Sequence, residues 1–111
     1  MKRQLTEQEK KNISEEIKQF LADEFEMDPG EIDLNTNIVD DLGGDSILFM
    51  EMIEEFKEKY KIDIEVRTIG RYMLKNPVYT VGETIKAVYE IIERGEDLIK
   101  ENVDERKLSV V

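Results

Sequence analysis

The 111-residue chain contains no cysteine and no histidine. Their absence excludes thiol nucleophiles, Ser-His and Cys-His pairs, imidazole acid-base chemistry, zinc sites of the usual ligand types, and disulfides. The remaining acids and bases, carboxylates and lysines, show no convergent arrangement, so the chain is not expected to be an enzyme and no catalytic residue is assigned. Long hydrophobic runs are missing too. Nothing approaches the roughly 20 apolar residues of a membrane span, and the leading Met-Lys-Arg-Gln lacks the apolar region of a signal peptide. A cytoplasmic protein without a membrane span is expected.

Positive charge is scarce: 16 basic residues face 27 acidic ones, for a net charge of -11. That balance argues against a nucleic-acid partner and for partners with basic docking surfaces. The 40% of hydrophobic residues still suffices for one core in a chain of this length. One domain, expected to be a monomer, follows.

What is present is helical periodicity. Thr6 followed by Glu9 reads as a capping box, and Ile13, Ile17, Phe20, Leu21 and Phe25 then recur at helical spacing, which predicts a first helix over 7–25. Asn12-Ile13-Ser14 matches a glycosylation acceptor by chance, inside that helix. Asp28-Pro29-Gly30 ends the helix, and a connection of about twenty residues follows, of the kind that is commonly functional. Ile32, Leu34, Ile38 and Leu42 along it are expected to anchor it across the bundle. Its acids invite a calcium reading, but the EF-hand register starting at Asp33 puts Ile38 where glycine is needed and Gly44 where the bidentate glutamate belongs. No metal site is assigned.

A second helix is expected over 46–60, with Phe49, Met52, Ile53, Phe56 and Tyr60 facing the core. Ile47 and Met50 fall off that stripe, on the side of Glu51, Glu54 and Glu58, and make a small apolar patch rimmed by carboxylates. A short helix over 66–75 puts Val66, Ile69, Tyr72 and Met73 on one arc and Arg67, Arg71 and Lys75 on another. It must end before Pro77. A second capping box, Thr80 to Glu83, opens the last helix, where Val81, Ile85, Val88, Tyr89 and Ile92 give a clear amphipathic period closing at Gly95. Beyond it, Leu98, Ile99 and Val103 are sparse among charges. The expected division is a domain over 6–94 and an extension over 95–111, a frayed helix or disordered.

The stretch Asp40-Asp41-Leu42-Gly43-Gly44-Asp45-Ser46-Ile47 joins the polar loop to the second helix. Asp45 is a good N-cap, which starts the helix at Ser46 and leaves its hydroxyl at an exposed rim behind two glycines that keep side-chain bulk away, so that something large could reach it. No residue nearby in sequence is suited to deprotonate that serine, so it reads as an attachment point.

These residues resemble a family. DDLGGDSI followed by an acid-rich amphipathic helix is similar to the attachment motif of acyl carrier proteins, over roughly residues 7–93. The resemblance implies an all-α bundle of three main helices plus a short extra one, with a long loop between the first two. It implies 4'-phosphopantetheine, taken from coenzyme A through a phosphopantetheinyl transferase, on Ser46, with Asp45 and Gly44 beside the attachment. Ile47, Met50 and Glu51 match the family's recognition positions, and Glu54 and Glu58 continue the acidic face that acyl-processing enzymes would meet. Acyl groups would be held as thioesters on the arm and protected in an interior that Met52, Ile53 and Phe56 could line.

The chain departs from the family's pattern between the second and last helices. That segment is longer than usual and carries Arg67, Arg71 and Lys75 with no acid from Val66 to Tyr79. Lys57 and Lys59 interrupt the acidic helix, and Glu54 stands where an apolar contact is common. These differences point to a specialised lipid, polyketide-like or nonribosomal route, with the basic stripe as a further partner surface. The alternative is a helical interaction module that keeps the fold and is never modified.

Overall fold

The computed structural model describes residues 4–95 and 97. Among them the chain is all-α: α1 (Glu7–Phe25), α2 (Ser46–Lys59), α3 (Val66–Lys75) and α4 (Val81–Arg94), with a 3-10 turn at Pro29–Glu31 in the first connection. The extension expected over 95–111 lies outside the described residues, apart from Gly95 and Asp97.

Two helices begin by the same device. The Thr6 hydroxyl accepts the Glu9 N–H at 3.1 Å while the Glu9 carboxylate accepts the Thr6 N–H at 3.0 Å. Thr80 and Glu83 repeat this pair at 3.1 and 2.9 Å. Each box occupies amide donors that a helix start leaves without partners. The spacing of apolar residues then decides which face turns inward. Ile13, Ile17 and Leu21 of α1 are fully buried, in one cluster with Leu48, Met52 and Phe56 of α2 and Val81, Ile85 and Val88 of α4. Leu48 was not among the residues expected in the core, whereas Phe49 and Tyr60, which were, pack only partly buried at the cluster's edge.

Two of the four expected loop anchors hold. Ile32 and Ile38 are buried, but Leu42 is only half-buried and Leu34 is 55% exposed. The backbone explains Leu34. Its carbonyl accepts the Gly82 N–H at 3.0 Å, while Val81 N–H donates to Thr36 and Ile38 N–H to the Tyr79 carbonyl at 2.9 and 2.7 Å. A Cβ on Gly82 would lie 3.2 Å from the Leu34 oxygen, so the absence of a side chain there allows the close approach. The loop is thus fastened to the start of α4 by main-chain bonds, which leave the Leu34 side chain outside.

A second, smaller cluster of Ile53, Ile64, Ile69, Tyr72 and Ile91 places α3 against α2 and α4. The Tyr72 hydroxyl donates to the Glu90 carboxylate at 2.6 Å, which adds a polar tether between α3 and α4. This arrangement sets one side of α3 beside the N-terminal half of α2.

Candidate functional site

The loop leading to α2 is tightly specified. The Asp41 carboxylate accepts the Asn37 N–H at 2.9 Å and the Asn37 amide oxygen accepts the Asp40 N–H at 2.8 Å. Gly43 has φ of 77°, a left-handed conformation in which a side chain is strained. Gly44 fits for another reason: a Cβ there would stand 2.8 Å from methyl carbons of both Ile38 and Leu48. Its smallness lets the loop pack over the core, a role distinct from the expected one of clearing space around the serine.

Asp45 has extended backbone (φ -137°, ψ -175°), and its carboxylate accepts the Leu48 N–H at 3.0 Å. This cap fixes the start of α2, so Ser46 is the first helical residue and is exposed. Ser46 also lies on the rim of a cavity of about 480 Å3 between α2 and α3, lined by Phe49, Met50, Ile53, Arg67, Gly70, Arg71, Met73, Pro77 and Val78. The volume is within the usual range for a small-molecule site, roughly 300 to 1,000 Å3. Among the described residues that line it, all but the serine and the two arginines are apolar.

The outer face of α2 carries Ile47, 66% exposed, with Glu51, Glu54 and Glu58 all exposed along the following turns. Met50, expected beside Ile47 on that patch, is half-buried and lines the cavity. Glu54 and Glu58 also border a shallow cleft with Lys57, Lys61, Ile62 and Asp63, so positive charge interrupts the acidic face there. Arg67 and Arg71 turn toward the cavity that Ser46 borders, whereas Lys75, one turn further along α3, is exposed and not part of its lining. The expected single stripe of three is therefore divided. Of the three core-facing residues that could also line an interior, Ile53 lines the cavity, while Met52 and Phe56 belong to the main core.

Sequence reasoning did not identify Gly70, Met73, Pro77 or Val78 as cavity residues. Gly70 had a signal, because glycine inside a helix costs roughly 0.5 to 1 kcal/mol relative to alanine and invites a reason for its presence. The others had none, since a cavity depends on how two helices sit relative to each other.

The family model described as a phosphopantetheine attachment site matches residues 15–77, a span that contains the loop, Ser46 and most of the cavity. The chain belongs to the acyl carrier protein family. It is 38% identical to an acyl carrier protein homolog of Clostridium acetobutylicum over 94% of this chain and 99% of that one. An acyl carrier protein of Tropheryma whipplei is 37% identical over 55% of this chain and 82% of its own length. A protein of Clostridium acetobutylicum named simply acyl carrier protein is 33% identical, over 47% of this chain and 68% of its own. No solved structure matches the chain. Members of the family are carriers rather than enzymes; they bear covalently attached 4'-phosphopantetheine and work with acyl-processing enzymes. Among the described residues, no helix is long and apolar enough to cross a membrane.

Proposed function

We propose that Ser46 bears the 4'-phosphopantetheine of a cytoplasmic acyl carrier with a specialised role. The observation that carries this reading is the joint placement of an exposed serine at the capped start of α2 and at the rim of an apolar cavity. The arm supplies a terminal thiol, which a chain without cysteine lacks, and so allows acyl groups to be held as thioesters. The residues present suit that group: an accessible hydroxyl to attach it, and an apolar space beside it for a flexible chain.

Attachment forms a bond from the Ser46 oxygen to the pantetheine-side phosphorus of coenzyme A and breaks that phosphorus's bond to the bridging oxygen. Adenosine 3',5'-bisphosphate leaves, and the serine proton passes to a base of the phosphopantetheinyl transferase. Asp45 would present its carboxylate to the transferase's metal and substrate as well as capping the helix. Ile47, Glu51, Glu54 and Glu58 form the face that basic partner surfaces meet, with Met50 at its border with the cavity. Lys75 extends the surface toward a partner specific to this carrier.

The specialised role is supported by two differences from a general carrier. The chain aligns over nearly its whole length with the Clostridium acetobutylicum homolog, and over about half with that organism's acyl carrier protein. It also has a basic α3 carrying Arg67, Arg71 and Lys75. Incubation with coenzyme A, magnesium and a broad-specificity transferase should add one phosphopantetheine mass, and Ser46→Ala should add none. A gain of that mass by the alanine variant overturns the assignment, and no gain by the unmodified sequence favours a protein-interaction module.

A further inference from the structure

We propose that Arg67 and Arg71 form an anion subsite that receives the phosphodiester joining the arm to Ser46. This rests on the reading of Ser46 as the attachment residue. Being four residues apart on α3, the two arginines project from the same side of the helix. Both line the α2–α3 cavity that Ser46 also lines, and among the described residues they are the only charged ones in its lining.

Their lack of ion-pair partners among the described residues is informative in so acidic a chain. With 27 carboxylate side chains against 16 basic ones, a surface arginine has many possible acidic neighbours. Lys59 pairs with Glu16 at 3.0 Å, and Lys10 lies over the Tyr89 ring. Among the described residues neither Arg67 nor Arg71 has an ion-pair partner. Two guanidinium groups are thus left available in the lining of the apolar cavity that Ser46 also lines.

The phosphodiester is an anion that attachment necessarily brings to that serine. It adds a negative charge to a body already at -11, close in sequence to Asp40, Asp41 and Asp45. Two arginines offset that repulsion, and their planar donor forks match phosphate oxygens better than a lysine point charge does. Holding the phosphate at the rim would direct the remainder of the arm along Phe49, Met50, Ile53 and Met73, into the apolar space. The subsite thereby sets the resting direction of the arm.

A carboxylate at the far end of an acyl group would offer the guanidinium pair similar chemistry, so the test separates the two sources. Isotope-labelled protein is compared by NMR in three forms at low salt: unmodified, bearing the arm with a free thiol, and bearing a malonyl group on that thiol. Intact mass and peptide mapping establish the loading at Ser46. The side-chain Nε–H signals of Arg67 and Arg71 should move on going from the unmodified to the free-thiol form, with Arg94 as the reference that does not. The phosphorus signal of the free-thiol form should shift in R67Q/R71Q, and R67K/R71K should recover only part of that difference. Unmoved Arg67 and Arg71 signals in fully loaded protein overturn the proposal while leaving the attachment reading intact. Signals that move only with the malonyl group assign the pair to cargo and overturn it as well. No added mass at Ser46 overturns the attachment reading, and the proposal with it.

Discussion

Gly44 is the residue where sequence and packing give different reasons for the same choice. In the sequence it reads as room for a partner at the serine; in the structure its missing Cβ is what lets the loop lie close over both Ile38 and Leu48. Gly44→Ala should therefore lower stability by roughly 1 to 3 kcal/mol, as overpacking does. Chemical denaturation measures this, and an unchanged midpoint would mean that Ile38 and Leu48 yield without cost. Met50 presents the opposite case. It is half-buried and borders the cavity, so Met50→Ala should cost well below the roughly 2 to 5 kcal/mol of a fully buried methionine truncation, and should slow acyl transfer. A loss as large as that of a core residue would place Met50 with Met52. Leu48 could have been found in the sequence, since Leu48, Met52 and Phe56 follow one another at four-residue intervals. Leu34 could not, because main-chain bonds to α4 leave its side chain outside and such bonds have no apolar signature.

Helix limits were legible because capping chemistry is local. Thr6 with Glu9, Thr80 with Glu83, and Asp45 before Ser46 each mark a start that the hydrogen bonds reproduce. The cavity was not legible, because it arises from the spacing between α2 and α3. The cap at α4 also has a pH signature. The Thr80 and Tyr79 N–H groups donate to the Glu83 carboxylate and hold its pKa below the ordinary value of 4.5. A lowered folded-state pKa contributes stability that is fully present above the unfolded value and disappears as pH falls through the folded one. The start of α4 should accordingly loosen below about pH 4.5, and Glu83→Gln should reduce that pH dependence. Amide exchange at Thr80 and Glu83 across that range checks the sign. Gly70 supplies a second test on α3. A Cβ there would meet only the Met50 sulfur, at 3.9 Å, so alanine fits sterically. Gly70→Ala should raise stability by about 0.4 to 1 kcal/mol while narrowing the cavity and weakening acyl-chain protection. Thermal melting and the rate of thioester hydrolysis read the two effects separately.

At the scale of the whole molecule, charge opposes compactness. A net charge of -11 on one small domain produces self-repulsion, and the ion pair of Lys59 with Glu16, at 3.0 Å and partly open to solvent, is of a kind that offsets little of it. The melting temperature should rise from low to moderate salt as this repulsion is screened. A flat or falling trend would show that the acids are already well balanced by their neighbours. The same acidity makes the outer face of α2 the surface proposed for basic partners, while α3 places positive charge beside the cavity. The account joins these features through one claim, that Ser46 is the point where the arm is attached. The most direct test is the intact mass of the chain isolated from its native cell, with peptide mapping of the modified residue. The account predicts one phosphopantetheine-containing addition, located at Ser46. A fully unmodified chain, or the addition at any other residue, would contradict it.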